Sequence, residues 1–249
     1  MHGKKDILLL ATYGMEIVEC GGTLAKHAQA GGKVEASVSL VRVENREQVQ
    51  KAAALLGVKV NFLDFASGEV QADTASKSKV VRLIREARPE IVITQDPEHS
   101  FLDLDPDRRE AMILYLEAIS LAARDWRIEE CGGFNPHLVK SLYFMTPKQP
   151  NCVVDITDIF PLKEQAMAEL SSQLAFSAAV LGKMVPESAM RALLRDYEQV
   201  KDVPVELGQA LHREMDRAFH LYHGMISHTS FALAEPFRRA GRFELAYLL

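Results

Sequence analysis

The sequence predicts an α/β fold: a mostly parallel central sheet with helices on both faces, extended at its C-terminal side by helices and short strands. Three observations carry this. Short apolar runs bounded by turn residues alternate with stretches of helical periodicity through the first two thirds of the chain. Several of these runs are apolar throughout, as strands buried on both faces are. The length of 249 residues, with 48% hydrophobic and 25% charged residues, suits one domain with a sizeable core.

Taken in order, residues 6–11 form a continuous apolar run and read as the first strand. Gly21-Gly22-Thr23 opens a helix over 24–30, which Gly31-Gly32 closes. Residues 34–43 are β-branched and alternate, so they read as the second strand. Residues 46–56 read as a helix ended by Gly57, and 58–65 as the third strand. Residues 76–87 carry an apolar stripe of Val80, Val81, Leu83, Ile84 and Ala87. Pro89-Glu90 breaks that helix before a fourth strand at 91–94, and 108–124 is a long amphipathic helix. The last third differs. Residues 142–145 and 153–156 read as short strands, and 162–181, 189–195 and 205–223 as helices. A final segment, 231–238, is expected to return towards the first part. The chain therefore reads as a single domain over 1–249, with a core at 1–130 and a part at 131–249 that completes it.

Composition excludes several classes. Lys+Arg is 29 against 34 Asp+Glu, a net charge of −5, which is unlike a nucleic-acid binder. Cys20, Cys131 and Cys152 are odd in number and far apart, so they suggest neither a zinc finger nor a disulfide framework. No apolar run approaches the roughly 20 residues needed to cross a bilayer. Glu16 and Glu19 follow the first apolar run too closely for a signal peptide. The expectation is a cytoplasmic protein with neither a membrane nor a nucleic acid as partner.

Open α/β sheets bind ligands at the carboxyl ends of their strands. Three loops qualify: 11–22, 43–46 and 94–109. These loops carry a resemblance. Ala11-Thr12-Tyr13-Gly14-Met15-Glu16 followed by Gly21-Gly22-Thr23-Leu24-Ala25 resembles the opening of the PIG-L/LmbE-like zinc-dependent N-deacetylases, which reads A-H-P-D-D-E and then G-G-T-L-A. Further matches follow in order at 52–58, 62–65 and 88–98, then at Asp105-Pro106-Asp107-Arg108-Arg109, 155–160 with Lys163 and Ser172-Gln173, and Ala234-Glu235-Pro236-Phe237-Arg238. The resemblance spans nearly the whole chain. It implies a Rossmann-like three-layer fold, zinc-dependent hydrolysis of N-acetylated sugars, and self-association as a trimer or hexamer. One branch of the superfamily instead hydrates an unsaturated tri-acid.

The departures from the family pattern bear directly on function. The resemblance puts zinc ligands at positions 12, 15 and 108, and these hold Thr12, Met15 and Arg108. The general-base position holds Gly14. The first His of a later H-P-D-H is replaced by Asp105, and only Asp107 of that set remains. Zinc takes His, Cys, Asp or Glu around an open position. A guanidinium stays cationic and repels the ion. Without the metal, water keeps a pKa of about 15.7, and position 14 offers no carboxylate to accept its proton. The expectation is no zinc at this place and no deacetylation by the family's route.

The candidate residues follow from this. Arg108 is expected to pair with Asp105 or Asp107 or to hold an anion, and these three are the candidate catalytic groups. Thr12, Arg46, Asp64, Arg108 and His228 are candidate ligand contacts. Arg46 and Asp64 read equally well as a surface Arg at a helix start and an Asp at a strand end. His99, Asp103, Asp105 and Asp107 could form a carboxylate-rich metal loop, but the spacing is not that of an EF-hand and Arg108 and Arg109 intervene. His212, His220, His223 and His228 contain no H-E-x-x-H pattern. Cys20 reads as a packing residue. An open pocket lined by Thr12, Arg46, Asp64, Asp105, Asp107 and Arg108 is expected, and two cations facing it would favour an anionic small molecule. The function read from the sequence is a deacetylase-like, metal-free small-molecule-binding protein or pseudoenzyme. The alternative is a hydrolase or lyase using re-purposed or relocated-metal chemistry on an acetylated sugar or a small carboxylate.

Overall fold

The computed structural model describes residues 5–242. Its elements run β1 (Ile7–Tyr13), α1 (Glu16–Glu19), α2 (Gly21–Gln29), β2 (Val34–Leu40), α3 (Arg46–Leu55), β3 (Lys59–Phe62), α4 (Thr74–Ala87) and β4 (Ile91–Gln95). They continue through α5 (Pro97–Leu102), α6 (Pro106–Ala122), β5 (Ser141–Met145), β6 (Cys152–Asp155), α7 (Phe160–Glu169) and α8 (Ser171–Met184). The last are α9 (Glu187–Leu193), α10 (Tyr197–Val200), α11 (Pro204–His223) and β7 (Ala234–Arg239).

The seven strands form one sheet in the order β3-β2-β1-β4-β5-β7-β6. The first five are parallel, and β7 runs antiparallel between β5 and β6. Because successive side chains of a strand point to opposite faces, β1 feeds two cores. Ile7, Leu9 and Ala11 join Ile17, Leu24 and Ala52 on one face. Leu8 and Leu10 meet Val80, Ile84, Leu114 and Tyr115 on the other. The buried Tyr115 hydroxyl donates to Ala11 O at 2.7 Å, so it costs no unsatisfied group.

Three expectations are revised. The helix expected over 162–181 is two helices that meet at Leu170, which turns out of helical geometry (ψ 53°) to bury its side chain. The segment expected to return towards the first part does so as strand β7. Residues 16–19 and 97–102, expected as loops, each make a short helix, the second capped by Asp96 through His99 N–H. Gly208 lets α11 lie directly on the backbone of α8, where a Cβ would meet the Leu174 carbonyl.

One buried ion pair ties the parts together. Lys163 on α7 and Glu235 on β7 stand 3.0 Å apart with side chains only 2% exposed. The Lys163 ammonium also donates to Val18 O at 2.5 Å and Glu19 O at 2.6 Å, the carbonyls that end α1. Glu235 accepts the Gly22 and Thr23 N–H groups that begin α2, at 2.8 and 2.7 Å. Cation at a helix C-terminus and anion at a helix N-terminus is the favourable placement for both dipoles. His220 on α11 lies beside the pair. Its Nδ1 donates to Ala234 O at 3.1 Å, and its ring packs edge-on to Phe160. Burial, with Lys163 nearby, pushes the imidazole down to about 4.

Two outcomes follow. Lys163→Met should cost about 3–5 kcal/mol in urea unfolding, because it strands a buried carboxylate. Glu235→Gln should cost a comparable amount, since Oε1 and Oε2 each accept one N–H, an amide offers only one oxygen, and the Lys163 ammonium loses its anion. His220 is neutral in the fold and has an ordinary pKa near 6.5 when unfolded. Its contribution to stability is present above pH 6.5 and is lost as pH falls towards 4. Urea midpoints measured against pH should therefore drop over that window, less steeply in His220→Gln.

Candidate functional site

The carboxyl ends of β1, β2 and β4 converge on the turn that joins β1 to α1. Glu16 closes this turn. It is wholly buried, and its carboxylate accepts Thr12 N–H at 2.8 Å and Tyr13 N–H at 3.4 Å. Burial, with Glu19 nearby, pushes the Glu16 carboxyl up to about 8, against the pull of Arg108. Arg108, from the first turn of α6, lies over this group. Its Nη1 is 3.7 Å from Glu16 Oε1, its Nε is 3.2 Å from Asp103 Oδ2, and the guanidinium stacks on the Tyr13 ring at 5.4 Å. The expected partners Asp105 and Asp107 are thus replaced by Glu16 and Asp103.

Asp105 and Asp107 are committed elsewhere. Asp105 caps α6, accepting Asp107 N–H at 2.9 Å and Arg108 N–H at 3.4 Å, and takes the Tyr13 hydroxyl at 2.5 Å. Burial and that carboxylate push the Tyr13 phenol up. Asp107 clasps the loop after β3 through Gly68 N–H at 2.7 Å and Val70 N–H at 3.3 Å. Thr12 is buried, and its hydroxyl accepts from Gln95 Nε2 at 2.6 Å.

The expected single pocket is two cavities. The first, about 510 Å³, lies over the ends of β1 and β2 beside α3 and α8, and includes Tyr13, Gly14, Met15, Arg42 and Asn45. The second, about 520 Å³ and more open, includes Glu19, His99, Asp103, Arg108 and Lys148. Tyr13 lines the first, while Arg108 stacks on its ring and lines the second. Neither contains Thr12, Arg46, Asp64, Asp105 or Asp107. Arg46 turns to Asp64 and to the face of the Phe62 ring. Arg46 and Arg108 therefore do not face one cavity. His228 is exposed in a left-handed turn and lines neither. His212 bonds Ser177, and His223 stacks on Phe219 and Tyr222. The Cys20 thiol is buried against Glu16 O, and burial pushes it well up.

The donor set does not fit zinc. Thr12 is committed to Gln95, Met15 is a thioether, and Arg108 is a cation held by two carboxylates. The place of the family's base is filled as well: a Cβ on Gly14 would stand 2.5 Å from Val49 Cγ2. Among the described residues, no group of three or more His, Cys, Asp or Glu could hold a metal. Sequence reasoning missed Glu16, although it matches the last residue of A-H-P-D-D-E, and it missed Arg42 and Asn45.

The fold and this loop arrangement define a three-layer α/β protein with its candidate site at the carboxyl ends of the strands. Residues 27–109 match the family model described as PIG-L: GlcNAc-PI de-N-acetylase. The chain is 33% identical over 130 residues to the diacetylchitobiose deacetylase of Thermococcus kodakarensis, a match covering 51% of this chain and 48% of that protein. It thus spans about half the length of that curated relative. The solved N,N'-diacetylchitobiose deacetylase of Pyrococcus horikoshii superposes with a TM-score of 0.69 at 20% identity, covering 94% of this chain and 83% of that one. The 4-carboxy-2-hydroxymuconate hydratase GalB of Pseudomonas putida gives 0.64 at 19% identity, covering 98% and 100%. The conserved protein TT1542 of Thermus thermophilus gives 0.68 at 21%, covering 98% and 97%. Residues 27–109 thus carry a PIG-L family match, and the fold over nearly the whole chain is that of these solved structures.

Above pH 8, where Glu16 is ionised, Arg108→Ala should lower stability by about 1–3 kcal/mol, since it leaves that buried carboxylate without its counter-ion. Much of that loss should disappear in the Glu16→Gln background. A double-mutant cycle of urea unfolding checks the coupling.

Proposed function

We propose that this PIG-L family protein is a small-molecule-binding protein that works without zinc and does not deacetylate by the family's route. The observation that carries this reading is the filled base position. Val49 stands where a side chain on residue 14 would go, while the three ligand positions hold Thr12, Met15 and Arg108. The open 510 Å³ cavity beside them supports retained binding, since pockets of small-molecule proteins run from about 300 to 1,000 Å³. The alternative, a metal-free hydrolase or lyase using Asp105 or Asp107 as acid or base, is disfavoured. Both carboxylates are saturated by backbone N–H groups and neither lines a cavity.

We place the protein in the cytoplasm, in keeping with three free cysteines. Among the described residues no helix is long and apolar enough to cross a membrane. We also propose a homo-oligomer, trimer or hexamer, supported by exposed apolar side chains on the packed pair α8 and α11 (Phe176, Met184, Phe219 and Tyr222) and in the turn after α11 (Met225 and Ile226).

Purified protein should hold less than one zinc per chain by elemental analysis, keep its melting temperature in EDTA, and leave diacetylchitobiose intact. The family's residues can be put back as Thr12→His, Gly14→Asp, Met15→Asp and Arg108→His. That combination should be unstable alone and should gain zinc only when Val49→Ala makes room. One zinc held at residues 12, 15 and 108, with zinc-dependent deacetylation by the unaltered protein, would overturn this reading.

A further inference from the structure

The larger set of contacts in the first cavity has a consistent hydrogen-bonding sense. Ser172 N–H, whose direction is set by the backbone, donates to Gln48 Oε1 at 3.0 Å. That places the other end of the amide, Gln48 Nε2, as donor to Ser172 Oγ at 2.9 Å. The Ser172 hydroxyl must then give its own proton to Asn45 Oδ1 at 2.8 Å. The Asn45 amide nitrogen is left with two N–H groups and no partner among the described residues. Arg42, the only charged side chain lining the cavity, also makes no ion pair or hydrogen bond among them. Its neighbour in sequence terms, Arg46, is by contrast engaged with Asp64 outside the cavity.

No Asp or Glu lines this cavity, in a chain that has 34 of them. Sugar hydroxyls need acceptors as well as donors, and charged acceptors are missing here. Besides these donors the cavity offers the neutral Ser67 hydroxyl and Gln173 amide and an apolar wall of Met15, Leu40, Phe65, Leu170 and Phe176. A guanidinium and an amide N–H pair match the two oxygens of a carboxylate, and the walls match an apolar body.

We infer that the first cavity binds a small carboxylic acid with an aliphatic or aromatic body, its carboxylate held by Arg42 and Asn45 and its body against Phe65 and Phe176. This rests on the zinc-free binding role proposed above and names the ligand class of that role. The anion site is thereby moved from Arg46 and Arg108, the two cations the sequence pointed to, onto Arg42.

The test is titration calorimetry of the full chain with octanoate, phenylacetate and N-acetylglucosamine. The two carboxylates should bind with dissociation constants of about 1 mM or tighter, and the neutral sugar should not. Arg42→Met should weaken carboxylate binding at least about tenfold, which is 1.4 kcal/mol. Arg42 is exposed, so this variant should fold normally. Asn45→Asp keeps the acceptor for Ser172 but sets a negative charge in the site, and should weaken binding at least as much. Arg46→Met should leave it within about twofold, as the control for loss of surface charge. Carboxylate binding that is indifferent to both Arg42→Met and Asn45→Asp would overturn the inference, and so would no binding by either acid. Sugar binding without zinc that ignores Arg42→Met would overturn the ligand class and leave the binding role standing. Stoichiometric zinc with turnover would instead remove the binding role itself.

Discussion

The Lys163–Glu235 pair is the interaction on which the rest of the arrangement depends. Its two charges are spent on two helix ends: the ammonium closes the carbonyl end of α1, and the carboxylate opens the amide end of α2. An unpaired ion in that position would be prohibitive. So α7 and β7, which lie far apart in sequence, must arrive together and against the first turn of the chain. Gly22 permits the approach, since a Cβ there would stand 2.9 Å from Glu235 Oε1. The β1–α1 turn, which carries the candidate site, is therefore held from behind by the C-terminal third of the molecule.

In front of the same turn, charge has been rearranged and not merely lost. Glu16 remains buried and still closes the turn through Thr12 and Tyr13. A buried carboxylate requires a counter-charge or a proton. Arg108 provides the cation, Asp103 shares it, and the Tyr13 ring supports it from below. At the next position Gly14 yields its space to Val49. The substitutions at 12, 14, 15 and 108 fit one another as a set. The clamp behind the turn is made by Lys163 and Glu235, neither of which is among the altered residues.

The consequence is a change in where a ligand can be received. With Arg108 packed over the turn and Arg46 paired to Asp64, the space that remains beside β2 is walled by apolar side chains and by the wired trio Gln48, Ser172 and Asn45. Its one charged side chain is the donor Arg42. The contacts between α3 and α8 that orient this trio also depend on the break at Leu170, which starts α8 where Ser172 can reach Gln48.

By itself the sequence determined the layers of this protein. Apolar runs such as 6–11 and 91–94, and the stripe on 76–87, are local periodicities, and local periodicity is what sequence patterns record. It also carried the family resemblance and the absence of zinc-type residues at its motif positions, because positions such as 12, 15 and 108 can be read in linear order. Only the tertiary structure decided the rest. It turned the closing segment into a strand between β5 and β6, since strand pairing is a long-range choice made by backbone partners. It gave Arg108 to Glu16 and Asp103 in place of Asp105 and Asp107, because the nearer carboxylates were needed for a helix cap and a loop clasp whose demands are invisible in the sequence. It separated Arg46 from the cavity and brought Arg42 and Asn45 to it, because which way a side chain faces at a strand end is set by the neighbours it meets and not by its spacing along the chain.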